Sequence, residues 1–361
     1  MFSVLKTKIT KTIFQIIFIP FFLVTEIINW LFIVMDELLF PSYKKIAIKT
    51  PLYITGMPRT GTTFMYNILH QDSQRFTAMM LWEIVFAPSV LQKKILIFIK
   101  KVDEKLNRPL RKLLEHFEKG VLKQFKSFHP LSLFQIEEDE YLLIHNFSSA
   151  LLIFFFPAFK SIFISSVTRN NEVPTREKKL QFYQKCIKKH LYVFGKGKCY
   201  LAKSPAHILR YSSLKEIFPD VKMIYMLRDP EKSIPSTISL FQHFNTIFHS
   251  GLKTDEIVKK TLLMADQCFD VIVKSGMAYN DPSFVIIKFE EFITNPLITV
   301  TNIYNQFRYE ISDEVMVRLN SYCQMHSEFV SGHLYSLEKY GLTRDLIHSR
   351  YQNIYLTFYP S

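Results

Sequence analysis

With 361 residues, 48% of them hydrophobic and 21% charged, the chain can bury one large core, and its composition excludes intrinsic disorder. The formal net charge of +13 suits an anionic nucleotide or a negatively charged membrane surface. Nucleic acid is excluded as the partner, because no recognition motif accompanies the charge and the lysines are scattered among apolar residues.

Lys6, Lys8 and Lys11 precede an apolar stretch from Ile13 to Met35, broken by Gln15, Pro20, Thr25, Glu26 and Asn29. A spanning helix needs about 20 predominantly apolar residues, and Glu26 near the middle is costly there. No small-residue cleavage site follows, which argues against a signal peptide. Lys44, Lys45 and Lys49 flank the far side, so the charge asymmetry that sets topology is missing. A single-pass anchor, an interfacial helix and a helix packed on the domain's own core stay open; the polar interruptions, Trp30 and the basic flanks fit the interfacial helix best. Residues 1–49 are therefore read as a membrane-associating helical segment, with residues 50–361 as a catalytic domain held on the cytoplasmic side.

Leu52–Thr55 reads as a strand that runs into Gly56-Met57-Pro58-Arg59-Thr60-Gly61-Thr62-Thr63 and then a helix. Two glycines five apart and a hydroxyl at Thr63 keep the spacing of a phosphate-cradling loop, but Thr62 stands where a nucleotide-triphosphate loop carries lysine. The positive charge sits inside the loop instead, at Arg59. Such a cradle suits a phosphate on a helix N-terminus and is poorly equipped for γ-phosphate hydrolysis.

A long insertion, Trp82 to Lys198, follows, with helical spacing over 93–126, an acidic run Glu137–Glu140 that reads as a solvated helix start in preference to a catalytic cluster in which Glu138 faces the substrate, and an apolar run 151–159 that reads as core. Beyond it, Cys199–Ala202, Lys222–Leu227 and Phe284–Lys288 read as short buried strands, each followed by helix-like sequence. Alternating strands and helices imply a P-loop-type three-layer α/β fold, with a mainly parallel sheet and ligands at the carboxyl ends of its strands. At those ends stand Lys203-Ser204-Pro205-Ala206-His207 and Arg228-Asp229-Pro230, the latter leading into a helix with Ser233 and Ser236. Cys186, Cys199, Cys268 and Cys323 form no C-x-x-C pair, which argues against zinc and for reduced, buried thiols.

The loop Pro58-Arg59-Thr60-Gly61-Thr62-Thr63 resembles the 5′-phosphosulfate-binding loop of the sulfotransferase superfamily, whose donor is 3′-phosphoadenosine 5′-phosphosulfate (PAPS). Arg228 with Ser236 eight residues later matches that superfamily's 3′-phosphate motif, and Lys203-Ser204-Pro205-x-His207 resembles a segment of its bacterial-type branch. Leu81-Trp82-Glu83, Glu290-Glu291-Phe292, His333–Leu337 and Tyr340-Gly341-Leu342 follow the family's order, so that the resemblance spans roughly residues 40 to 350. It implies that Pro58, Arg59, Thr60, Gly61, Thr62 and Thr63 hold the 5′-phosphate, that Arg228 and Ser236 hold the 3′-phosphate, and that Arg59 and Lys203 meet charge on the sulfuryl and bridging oxygens. It also implies that no metal is required. For the base, Glu83 and His207 are both candidates; Glu83 is preferred, since desolvation beside Trp82 is expected to raise its pKa. The acceptor is a small-molecule or lipid hydroxyl. A P-loop kinase or NTPase, or a catalytically inactive nucleotide-binding membrane protein, is the alternative, and the absent lysine at position 62 argues against the first. Oligomeric state is not legible.

Overall fold

The computed structural model describes residues 2–121, 131–149, 152, 173–248, 250–274, 281–326 and 336–360. Five parallel strands, β1 (Leu52–Gly56), β2 (Phe76–Thr77), β3 (Cys199–Lys203), β4 (Lys222–Leu227) and β5 (Phe284–Lys288), lie in the order β2-β3-β1-β4-β5. The four longer strands are those expected from their apolar runs. The edge strand β2 is a two-residue addition, too short to carry a period.

Because successive side chains of a strand alternate in direction, each strand feeds two cores. Tyr53, Ala202, Met223 and Tyr225 pack on one face, with Ile187, Leu191 and Phe269. Leu52, Ile54, Leu201, Ile224 and Met226 pack on the other, with Met65, Leu69 and Tyr304. Both faces are covered, which is why the strands read as continuous apolar runs. The loop at Gly56, Lys203, Arg228 and Phe289 all follow from strand carboxyl ends, and β1 at the centre places the loop among them.

The insertion comprises α3 (Leu81–Phe86), α4 (Val90–Lys105), α5 (Pro109–Val121), a 3-10 turn over Asp139–Ile144 and α6 (Val173–Phe194). The helical pattern over 93–126 is split where Asn107 and Arg108 adopt positive φ, 64° and 62°. Residues 133–137 run antiparallel to 79–82, through Leu81 N–H to Gln135 O, Trp82 N–H to Leu133 O and Glu137 N–H to Met79 O, each 3.0–3.1 Å. That pairing carries the acidic run to the carboxyl end of the sheet. The apolar run 151–159 lies outside the described residues except for buried Leu152, as does His333–Tyr335.

The first helix, α1 (Phe2–Leu39), is the apolar N-terminal stretch, and Phe18–Leu39 is long and apolar enough to cross a membrane. Its polar residues nonetheless face the protein: Glu26, Asn29, Ile33 and Asp36 are buried, one helical stripe at spacings of three and four. Asp36 accepts from the Val90 and Leu91 amides at 2.8 and 3.0 Å, capping α4, and pairs with buried Lys189 at 3.0 Å. Glu26 meets His145 Nδ1 at 2.9 Å, Asn29 donates to Val85 O, and Trp30 Nε1 donates to His145 O. Two of the interruptions of the apolar stretch, Glu26 and Asn29, are thus contacts that fasten the helix to the domain.

Removing Asp36 leaves the Lys189 ammonium buried without its counter-ion. Asp36→Ala is expected to lower unfolding free energy by about 3–5 kcal/mol, measured by chemical denaturation.

Candidate active site

The 56–61 loop turns sharply between β1 and α2 (Thr62–Leu69), and three backbone positions make the turn: Gly56 at φ 147°, Arg59 at 68° and Gly61 at 83°. A Cβ on Gly56 would lie 2.4 Å from the Met226 carbonyl oxygen of β4, and one on Gly61 would lie 2.9 Å from the Phe289 ring. Both glycines are therefore required by close approach as well as by φ. Arg59 occupies the left-handed region without glycine's freedom, a strained conformation of the kind that clusters at binding sites. The first amides of α2 have no partner within the helix, and they lie at the end of this loop.

The loop's carbonyls are held from outside. Arg228, following β4, donates from Nη1 to Arg59 O at 2.8 Å, and its guanidinium lies over the Phe289 ring, 4.4 Å from the centroid. Thr237, in α8 (Pro230–Ile247), donates to Pro58 O at 3.1 Å and to Ser233 O at 2.8 Å. Thr60 Oγ1 closes the loop on Met57 O at 2.7 Å. Ser233 and Ser236 lie in the first two turns of α8, 0% and 1% exposed, and neither Oγ meets a hydrogen-bond partner among the described residues. Buried hydroxyls are ordinarily paired, so these two, in the helix that follows Arg228, are each able to donate to an outside acceptor.

Lys203 ends β3 at 1% exposure, and its Nζ donates to Thr63 Oγ1 of α2 at 3.2 Å. It also meets Glu138 at 2.9 Å and Glu137 at 3.8 Å. Burial alone would lower its pKa, but Glu138 and Glu137 outweigh burial and push the ammonium above its ordinary value. The structure thus joins Thr63, Lys203, Glu137 and Glu138 through contacts just past the loop that carries Arg59. In sequence the acidic run reads as a solvated helix start, and only its pairing with 79–82 reveals its position.

Glu83 and His207 are held by other partners. Glu83, in α3, is 3% exposed; Oε1 accepts the Met80 amide at 3.1 Å, and Oε2 meets His190 Nδ1 at 2.8 Å and Lys93 at 3.9 Å. His190 Nε2 in turn meets Thr77 Oγ1 at 2.9 Å. Burial raises the carboxyl pKa, yet His190, Lys93 and the Met80 amide together hold it below its ordinary value. The expected upward shift at Glu83 is therefore corrected: partners on α4 and α6, invisible from its neighbour Trp82, decide the sign. His207, 1% exposed, bonds Asp139 through Nε2 at 2.7 Å and packs edge-on to Tyr53, centroids 4.8 Å apart. Asp139 also accepts from Tyr183 and Tyr200, so His207 belongs to a buried tyrosine cluster.

Of the thiols, Cys186, Cys268 and Cys323 are buried and Cys199 is partly exposed, all free. Among the described residues no group of His, Cys, Asp or Glu is arranged to hold a metal ion.

The sequence model of the Sulfotransferase family matches residues 51–313, which spans the loop, Lys203, Arg228 and Ser236. The chain belongs to the sulfotransferase family. This sulfotransferase is 23% identical over 287 residues, 77% of its own length and 68% of the relative's, to the omega-hydroxy-beta-dihydromenaquinone-9 sulfotransferases Stf3 of Mycobacterium bovis and Mycobacterium tuberculosis. In fold it is similar to the sulfotransferase STF9 of Mycobacterium avium, with a TM-score of 0.71 at 19% identity over 91% of this chain and 82% of that one. It is likewise similar to STF1 of Mycobacterium tuberculosis, with a TM-score of 0.67 at 21% identity over 93% and 86%.

A carboxylate whose pKa falls on folding stabilises the fold above its unfolded pKa, about 4.3 for Glu, and loses that contribution as pH drops through the folded value. Denaturation at a series of pH values should therefore find Glu83→Gln most destabilising at neutral pH, with the gap to wild type narrowing as pH falls through the carboxylate range.

Proposed function

We propose that the protein transfers a sulfuryl group from PAPS to the hydroxyl of a lipid acceptor. The observation that carries the donor assignment is the clamp on the loop: Arg228 and Thr237 hold the successive carbonyls of Arg59 and Pro58, so a second cationic, hydroxyl-bearing site adjoins the phosphate cradle. A nucleotide with phosphates at both ends of its ribose fits that pair; ATP does not need it. The orphan hydroxyls of Ser233 and Ser236 fit as further donors to a phosphate.

Bound PAPS supplies the sulfuryl group on a phosphate leaving group. Around it, the turn made by Pro58 and Gly61, the amide of Thr60, and Arg59, Thr62 and Thr63 hold the 5′-phosphate, while Arg228 and Ser236 hold the 3′-phosphate. Lys203, kept charged and joined to Thr63, offsets negative charge on the oxygens of the transferred group and of the leaving phosphate, as does Arg59. Glu138 takes the acceptor's proton. It meets Lys203 and is less buried than Glu137, with 18% of its side chain exposed against 7%. Both oxygens of Glu83 are already engaged. Glu83 accordingly positions α3 against His190, and His207 holds Asp139 and the tyrosine cluster behind the strand.

The lipid assignment draws on the relatives named for a dihydromenaquinone derivative and on the exposed apolar side of α1. A lipid-derived hydroxyl would reach a membrane-associated protein from the bilayer.

Calorimetry with 3′-phosphoadenosine 5′-phosphate, without magnesium, is expected to give tight binding with ATP far weaker, and Arg228→Ala should weaken it at least about tenfold. Magnesium-dependent ATP binding instead would overturn the donor assignment. With radiolabelled PAPS and hydroxylated lipids, Glu138→Gln should lower kcat by about 10²- to 10⁴-fold while nucleotide affinity holds, and Glu83→Gln should cost less. Label passing to soluble sugars alone would overturn the lipid acceptor.

A further inference from the structure

Two helices, α1 and α4, turn polar side chains inward and apolar ones outward, the reverse of a water-soluble surface, and a third, α5, presents an apolar row outward. On α1 the buried stripe is Glu26, Asn29, Ile33 and Asp36, while Phe21, Val24, Ile27, Ile28, Leu31, Val34 and Leu38 are exposed. On α4 the inward residues are Gln92, Lys93 and Asp103, and Ile95, Phe98, Ile99 and Val102 stand outward at helical spacing. On α5, Leu110, Leu113 and Phe117 are exposed at three and four residues apart. These helices adjoin: α1 packs on α4, with Asp36 capping it, and α4 packs on α5.

The inversion is sustained by specific inward partners. Gln92 donates to Asn29 Oδ1 at 2.8 Å and to Phe86 O at 2.9 Å, Lys93 bonds Ala87 O, and Asp103 accepts from the Leu110 and Arg111 amides at 2.7 and 3.1 Å. Rotating α1 or α4 to hide its apolar side would strand these groups, so their outward faces are a fixed property of the fold, and Asp103 ties the start of α5 to α4.

Charge selects the occupant. Residues 90–121 hold nine Lys or Arg against four Asp or Glu, and Lys94, Lys100, Lys101, Lys105, Arg108 and Lys112 are exposed beside the apolar stripes. Lys44, Lys45 and Lys49 are exposed just beyond α1. Long basic stems can lie along apolar groups while their charged ends reach phosphate headgroups, and a second copy of this chain would bring the same positive charge against them.

We propose that α1, α4 and α5 form one monotopic membrane face that inserts into an anionic leaflet, with α1 lying in the interface and not crossing it. The proposal deepens the membrane association on which the lipid-acceptor reading draws, but it does not depend on the donor site. Crossing would require α1 to leave the domain and uncover Glu26 and Asp36, whereas lying flat keeps both paired.

Flotation of the full chain with vesicles of phosphatidylcholine alone and with phosphatidylglycerol added tests the partner. Binding should favour the anionic vesicles, weaken with salt, and fall at least about tenfold in Phe98→Glu/Leu113→Glu/Phe117→Glu, with calorimetric nucleotide binding unchanged. Absence of flotation, or a discrete dimer that the same triple substitution splits, would overturn it in favour of a self-association face. Depth is read from Trp30 in a Trp82→Phe background, using lipids brominated at different chain positions. Trp30 lies near the middle of the 22-residue apolar stretch, so a spanning helix would put it at the bilayer centre. Quenching strongest from shallow bromines supports the flat helix, and quenching strongest from deep bromines overturns it. Loss of nucleotide binding with flotation intact would instead count against the donor assignment.

Discussion

Two carbonyl groups in the 56–61 loop are satisfied from outside the loop, and the rest of the site depends on that. Arg228 takes the carbonyl of Arg59, and Thr237 takes that of Pro58. A turn this tight, with a left-handed arginine inside it, persists only when its surroundings over-determine it. Here they do: the Met226 carbonyl and the Phe289 ring leave no room for side chains at Gly56 and Gly61, and Thr60 ties the turn to Met57. The same residues couple the loop to the start of α8, where Ser233 and Ser236 lie. Cradle and clamp are thus one mechanical unit.

Buried charge organises the space around that unit. Lys203 survives burial because two carboxylates from a segment about 65 residues earlier reach it, and those carboxylates are in range because 133–137 pairs with 79–82. A parallel arrangement fixes α3, where Glu83 meets His190, Lys93 and the Met80 amide. Each cluster costs desolvation that only near-complete pairing offsets, so each specifies one arrangement of the insertion. The consequence for chemistry is a division among carboxylates: Glu83 is fully engaged, while Glu138 pairs with Lys203, which also reaches Thr63.

The N-terminal helix extends this logic to the surface. Among its described side chains four are buried, three of them polar, and each of the three bonds to the domain. Fastening the helix by polar groups frees its apolar side to face outward, and α4 repeats the pattern with Gln92, Lys93 and Asp103. The proposed membrane face and the sheet are joined in this way through Asp36, Lys189 and α4.

Much of the fold was legible in the sequence, since buried parallel strands are short apolar runs ended by turn chemistry, and four of five carry that mark. Family membership was legible too, because a phosphate loop is made by consecutive residues whose spacing survives in one dimension. The partners of single polar residues were not. Glu83 read as a desolvated carboxylate beside Trp82, yet His190 is 107 positions away; Glu137 and Glu138 read as a solvated run, yet they meet Lys203. Glu26 and Asn29 read as flaws in a membrane helix, when they are its attachment. Local backbone conformation follows from neighbours in the chain. The sign of a pKa shift, the pairing of a buried charge and the direction a helix faces depend on which distant groups arrive, and only the tertiary structure decides that.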